Sequence, residues 1–146
     1  VEDDGFKSGQ LREFLKGLVE RSEIAVARSV SSGKECLRRT CFDIIFLDMS
    51  LPSYDIDRYE PGGTPRIFGG SELLGYVDFL DYNTPVVVVT QFERFWTGAD
   101  EIDIHSLGER LASDYPNNFK AIVYFNAASE KWKADLKKVL LELIQR

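Results

Sequence analysis

Carboxylates, hydroxyls and amides collect where the apolar runs of this sequence stop. DIIFLD (43–48) ends on Asp48 with Ser50 just beyond, PVVVVT (85–90) ends on Thr90 and passes to Gln91, and KAIVYF (120–125) passes to Asn126. At the start, V-E-D-D sets Glu2, Asp3 and Asp4 side by side. If these runs are neighbouring strands that point the same way, all of these groups come to one edge. Carboxylates crowded in that fashion repel unless a cation neutralises them. An all-oxygen ligand set suits Mg2+, a hard divalent ion that keeps several of its waters. Each residue also has a plain structural reading, since polar side chains commonly close strands and a strand threonine commonly bonds nearby backbone. His105, the one histidine, reads as a surface residue at a helix start, because no partner acid or nucleophile is identifiable near it.

The elements that must position these groups are read from periodicity. Leu11, Phe14, Leu15 and Leu18 recur at helical spacing between Ser8 and Arg21, with Ser8 as the expected cap. IAVARSV (24–30) reads as a strand rich in β-branched residues. Ser31 or Ser32 then caps a short helix through Arg39 that carries Cys36 and Leu37 inward. DIIFLD is the continuous apolar run expected of a strand covered on both faces. After Pro52, SYDIDRYEPGGTPRIFGG mixes acids, arginines, tyrosines, prolines and glycines, which predicts a long surface insertion at about 53–68.

Helical spacing returns in SELLGYVDFLDY (71–82) through Leu73, Leu74, Val77 and Leu80, and PVVVVT is a second fully buried strand. Residues 92–103 read as irregular and acidic, 104–114 as a helix through Ile104, Leu107 and Leu111, and KAIVYF as the last strand. A helix from Ser129 to about Ile144 closes the chain, with Trp132, Leu136, Val139, Leu140 and Leu143 inward. The aromatics Tyr54, Tyr59, Phe68, Phe92, Phe95 and Trp96 fall in irregular segments, where an exposed cluster would mark a partner surface.

Strict alternation of helices with apolar strands predicts an α/β fold, a parallel sheet flanked by helices and wound right-handedly. Ligands in such sheets bind beyond the carboxyl ends of the strands. V-E-D-D reads as the tail of a first strand whose body is largely absent from this sequence, so something else is expected to fill its place beside the sheet.

Bulk properties narrow the functional classes. At 146 residues the chain is the size of one domain, spanning 1–146. A formal net charge of −6 argues against a surface that tracks phosphate backbones, so direct nucleic-acid binding is not expected. No apolar run approaches the ~20 residues of a membrane span, and no signal-peptide pattern opens the chain, so no membrane association and a cytoplasmic setting are the expectations. Cys36 and Cys41 have neither C-x-x-C spacing nor a histidine cluster, and read as reduced, buried thiols.

In combination these pieces resemble the receiver domain of bacterial two-component response regulators, a flavodoxin-like (CheY-like) fold. The matching motifs are the acidic pair in V-E-D-D, D-I-I-F-L-D-M-S-L-P, G-G-S-E-L-L at the third helix, and T-P-V-V-V-V-T. The likeness spans nearly the whole chain outside 53–68 and part of 92–103. It implies that Asp48 accepts a phosphoryl group from a histidine kinase or phosphotransfer protein. It implies a Mg2+ ion held directly by Asp3 and Asp48, by Glu2 through water, and by the backbone carbonyl of Ser50. Thr90 corresponds to the hydroxyl that bonds the phosphoryl oxygen and triggers the switch, and Tyr124 or Val123 to the switching aromatic position. The chain would not be an enzyme beyond gaining and losing this group itself. Its downstream partner or output domain would lie outside this chain, and self-association into a homodimer stays open.

The sequence departs from that pattern in places. The family's lysine after the last strand is replaced by Asn126 or Ala127 in Y-F-N-A-A-S. Lys120 begins the same strand, and six residues at about 3.3 Å each leave it roughly 20 Å from the far end. Arg66 and Arg94 are the remaining candidates for the positive charge, and Gln91 with Phe92 stands where it could cover or hydrogen-bond the site. Two functions therefore follow: a phosphorylatable Mg2+-dependent switch, and a pseudo-receiver, a protein-interaction module that is not phosphorylated. A metal-dependent phosphohydrolase ranks behind both, since D-M-S lacks the second aspartate of D-x-D.

Overall fold

In a computed structural model of the chain, residues 1–54, 68–97 and 99–145 are described. The helices are α1 (Gly5–Leu18), α2 (Val30–Arg39), α3 (Phe68–Phe79), α4 (Ile104–Asp114) and α5 (Lys131–Ile144). The strands are β1 (Ile45–Leu47), β2 (Val86–Thr90), β3 (Arg94–Trp96), β4 (Glu101–Asp103) and β5 (Phe119–Tyr124). Strands β1, β2 and β5 form a parallel sheet in the order β1-β2-β5, flanked by helices as the alternation predicts.

The sheet separates two apolar layers. Because strand side chains alternate, Val86 and Val88 face one side with Leu47, Leu73, Leu74, Val77, Leu107 and Leu111, which come from β1, α3 and α4. Val87 and Val89 face the other with Leu11, Leu15, Val123, Trp132, Leu136 and Leu140, from α1, β5 and α5. All five residues of β2 are buried, and each valine contributes about 1.5–3 kcal/mol of apolar burial. At the opposite end of the sheet the buried Asn118 side chain donates to the Tyr82 and Thr84 carbonyls (2.5 and 3.0 Å), tying the start of β5 to the turn before β2.

Several boundaries differ from the sequence reading. Helix α1 starts at Gly5 with Asp4 as its cap, the Asp4 carboxylate accepting the Lys7 amide at 3.0 Å. Ser8 lies inside the helix, because the aspartate caps it several residues earlier. Helix α2 is capped by Ser29, not Ser31 or Ser32, in a capping box with Ser32. Residues 24–28 are not a strand. They meet the sheet through the Glu2 amide, which donates to the Ala27 carbonyl at 2.9 Å. An apolar cavity of about 110 Å³ lies between α1, residues 24–26 and the β1 segment, lined by Leu11, Leu15, Ile24, Val26, Ile44 and Phe46.

Strands β3 and β4 pair antiparallel where irregular chain was expected. The signal is a short period-2 pattern: Phe95 is buried between exposed Arg94 and Trp96 and pairs with half-buried Ile102. The expected thiol burial also fails. Cys41 is exposed and Cys36 half-buried, because Leu37 takes the inward position on α2. The body of the expected 53–68 insertion, with Tyr59, Arg66 and the Phe68 side chain, lies outside the described residues.

Helix α3 begins in tight contact with the chain just past β1. The Gly70 amide donates to the Met49 carbonyl at 3.0 Å. A Cβ on Gly70 would fall 2.5 Å from Met49 Cα and 2.7 Å from the Asp48 carbonyl oxygen, both backbone atoms that cannot swing away. Gly70→Ala should therefore destabilise the protein by about 1–3 kcal/mol, the usual size of overpacking, and shift the Asp48 and Met49 amide resonances. Gly9→Ala, with nothing within 4 Å of the added methyl, is the control that keeps Tm or raises it.

Candidate functional site

The carboxyl ends of β1 and β2 bring the acidic groups together. Val1 sits beside β1 in parallel register, its amino group donating to the Phe46 carbonyl and its carbonyl accepting the Asp48 amide at 3.0 Å. That pairing places Glu2 and Asp3 next to Asp48, the residue that follows β1. The carboxylate oxygens of Glu2, Asp3 and Asp48 come within 4.8 Å of one another, with Glu2 and Asp48 buried and Asp3 half-buried. Glu2 Oε1 accepts the Asp4 amide at 3.1 Å, and Asp48 Oδ1 accepts the Ser50 amide at 3.4 Å.

A lysine joins them. Lys7, in the first turn of α1, is 1% exposed. Its Nζ stands 2.5 Å from Glu2 Oε2, 2.7 Å from the Val89 carbonyl oxygen and 3.5 Å from Asp48 Oδ2. Burial raises the affinity of all three acids for protons. For Asp48, loss of solvation is the largest cause and the Lys7 ammonium opposes it. Glu2 is raised first by burial and next by the charge of Asp48. Asp3 is raised by burial and by Glu2. Three carboxylates against one ammonium leave an excess of negative charge, and such a donor set suits a hard divalent cation.

Thr90 closes β2 at the same end of the sheet, fully buried, its Oγ1 accepting the Phe92 amide at 3.2 Å. Gln91 is exposed, while Phe92 packs against the α2/α3/α4 layer. Asn126 is exposed, its side chain accepting the Ala128 amide at 3.0 Å. Of the two candidates for the switching aromatic position, Val123 is core and Tyr124 is 36% exposed. Arg94 pairs on the surface with Glu101 at 3.6 Å, not with the acidic cluster. His105 is exposed and faces Glu109, as a surface residue should.

Lys7 was missed in the sequence because lysine is expected in solvent. Its signal is positional: Lys7, Leu11 and Leu15 recur every fourth residue, and all three are buried. A lysine on an apolar stripe four residues from an acidic pair marks an ammonium carried inward.

Comparison with known proteins agrees with this architecture. The chain is 37% identical over 146 residues to the Detocs response regulatory protein DtcB of Enterobacter cloacae (strain JD6301), covering 98% of this chain and 97% of that one. It is 31% identical to the uncharacterised protein y4jR of Sinorhizobium fredii, covering 98% and 95%. Among solved structures, a CheY-like response regulator receiver domain protein from Methanospirillum hungatei superposes with a TM-score of 0.64 at 16% identity, over 99% of this chain and 90% of that one. A signal receiver domain from Vibrio parahaemolyticus gives 0.61 at 17%, over 99% and 92%. No family model matches the chain.

The raised carboxylates set a pH dependence. A folded-state pKa above the unfolded one means the native protein holds more protons within that window, so stability falls as pH rises through it. Without divalent ions, Asp48→Asn should be more stable than the parent at neutral pH, by about 1 kcal/mol or roughly 3 °C in Tm. The advantage should shrink as pH is lowered through the raised values to the ordinary carboxylate range. A variant less stable than the parent at neutral pH would contradict this account.

Proposed function

The chain belongs to the family of response regulator receiver domains, and on that premise we propose that Asp48 accepts a phosphoryl group in a Mg2+-dependent reaction that switches a protein-interaction surface. The donor is the phosphohistidine of a histidine kinase or phosphotransfer protein. A carboxylate oxygen of Asp48 attacks phosphorus in line, a P–O bond forms and the P–N bond breaks. The departing electron pair returns to the imidazole nitrogen, which takes up a proton. Asp3, Asp48, Glu2 and the Ser50 carbonyl would hold the ion, whose chemistry is to neutralise charge on the phosphoryl oxygens.

The observation that carries this reading is the trio of buried Glu2 and Asp48 with half-buried Asp3 at the carboxyl end of a parallel sheet. Crowding three acids, two of them buried, costs stability without adding to the apolar layers, and a cation-dependent phosphoacceptor is a role in which that arrangement is useful. Thr90 supports it as a buried hydroxyl at the end of the neighbouring strand. The rival, a pseudo-receiver that is not phosphorylated, draws on Asn126 and Ala127 in the lysine's place. The Lys7 ammonium beside Asp48 weighs against it.

Occupancy of Asp48 acts on the surface by biasing two pre-existing conformations. The downstream partner meets that surface or belongs to an output domain outside these residues. Among the described residues no helix is long and apolar enough to cross a membrane. Cys36 and Cys41 are free thiols, which suits a reducing cytoplasmic setting.

Incubation with Mg2+ and acetyl phosphate should add one phosphoryl group by intact mass, and the adduct should be absent in Asp48→Asn and after chelation of the metal. Thr90→Ala should keep the adduct while losing most of the accompanying change in the amide spectrum. An unmodified parent chain under these conditions would sink the phosphoacceptor reading and leave the interaction module.

A further inference from the structure

Lys7 is the only lysine or arginine buried among the described residues, and it is buried where the three acids meet. Its ammonium has three protons to donate. Glu2 Oε2 at 2.5 Å and the Val89 carbonyl at 2.7 Å take two of them in short contacts. Asp48 Oδ2, at 3.5 Å, lies beyond an ordinary N–H···O bond. The ammonium is thus anchored on two sides and under-used on the third, the side of Asp48.

Phosphorylation of Asp48 places further negative charge at a point already short of cations. The other lysines and arginines with ion-pair partners among the described residues, Lys34, Arg38, Arg39, Arg94 and Lys133, pair on the surface with Glu72, Glu35, Glu101 and Glu130. We propose that Lys7 is the ammonium that pairs with the phosphoryl group on Asp48, delivered from the first turn of α1 and not from the end of the last strand. This rests on the reading of Asp48 as phosphoacceptor.

The local structure supports the assignment. Leu11 and Leu15 seat α1 on the sheet one and two turns below Lys7, and the Asp4 cap holds the first turn, so the stem enters from a fixed direction. The Val89 carbonyl then holds the ammonium level with the end of β1, where Leu47 is paired with Val88. A short move from Glu2 toward Asp48 would complete the third contact. With the cation supplied from α1, the position after β5 is relieved of that duty and Asn126 is free to cap the turn that follows it.

The test separates phosphoryl pairing from two simpler roles, a stand-in for the metal and a structural prop. Beryllium fluoride, a phosphoryl mimic, is titrated in saturating Mg2+, and Mg2+ is titrated alone, on the parent chain and on Lys7→Met. The expected result is a loss of about ten- to a hundred-fold in beryllium fluoride affinity, with Mg2+ affinity equal to the parent's or tighter because a competing cation is gone. In the parent chain the Lys7 ammonium resonance should shift when beryllium fluoride binds, a readout that holds even if Lys7→Met fails to fold.

Unchanged beryllium fluoride affinity with tighter Mg2+ binding makes Lys7 a metal stand-in and overturns the proposal. Equal weakening of both makes it a structural prop, and an unshifted ammonium resonance in the loaded parent overturns it as well. If the parent chain itself does not bind beryllium fluoride, the phosphoacceptor reading falls and the Lys7 proposal with it.

Discussion

Strand β2 has no solvent-facing side, and that constraint organises the rest of the structure. Val86 and Val88 need one apolar layer while Val87 and Val89 need another, so helices must cover both faces. Backbone groups buried this deeply must be paired, which brings β1 and β5 alongside in parallel. Parallel strands end at the same edge. The chemistry of the chain is therefore gathered there by the packing of a few valines, not by any affinity among the polar groups themselves.

The polar edge in turn runs against the packing that builds it. Glu2, Asp3 and Asp48 lose solvation as the apolar layers close, and all three are pushed toward protonation. Lys7 offsets part of that cost from inside the same core, on the face of α1 that also carries Leu11 and Leu15. The site is consequently held short of electrical balance, a condition that favours binding of a further cation. Gly69 and Gly70 complete the arrangement from the opposite layer, letting α3 approach the backbone of residues 48–51 more closely than any side chain permits.

How much of this was legible in the sequence varied with the kind of signal. Helices α3, α4 and α5 and strands β2 and β5 follow from apolar runs and helical spacing, and their observed spans agree within a few residues. The gathering of Glu2, Asp3 and Asp48 was legible too, because strand ends in a parallel sheet share an edge. The first helix cap was misplaced because Asp4 and Ser8 are both side chains that can cap a helix start. The antiparallel pair β3 and β4 was invisible in the sequence because each strand is three residues long, too short for alternation to stand out from noise.

By itself the sequence determined the layer structure, the identity of the acidic residues and the family resemblance, since all three are carried by local pattern and motif order. Only the tertiary structure decided which cation meets those acids. Lys7 and Val89 are 82 residues apart and Lys7 and Asp48 are 41 apart, and no periodicity within one segment encodes a contact across that separation. Segment 24–28 was likewise decided in three dimensions: β propensity was present, yet these residues meet the sheet through the Glu2–Ala27 backbone bond and form no strand, because propensity is a weak preference that packing context overrides.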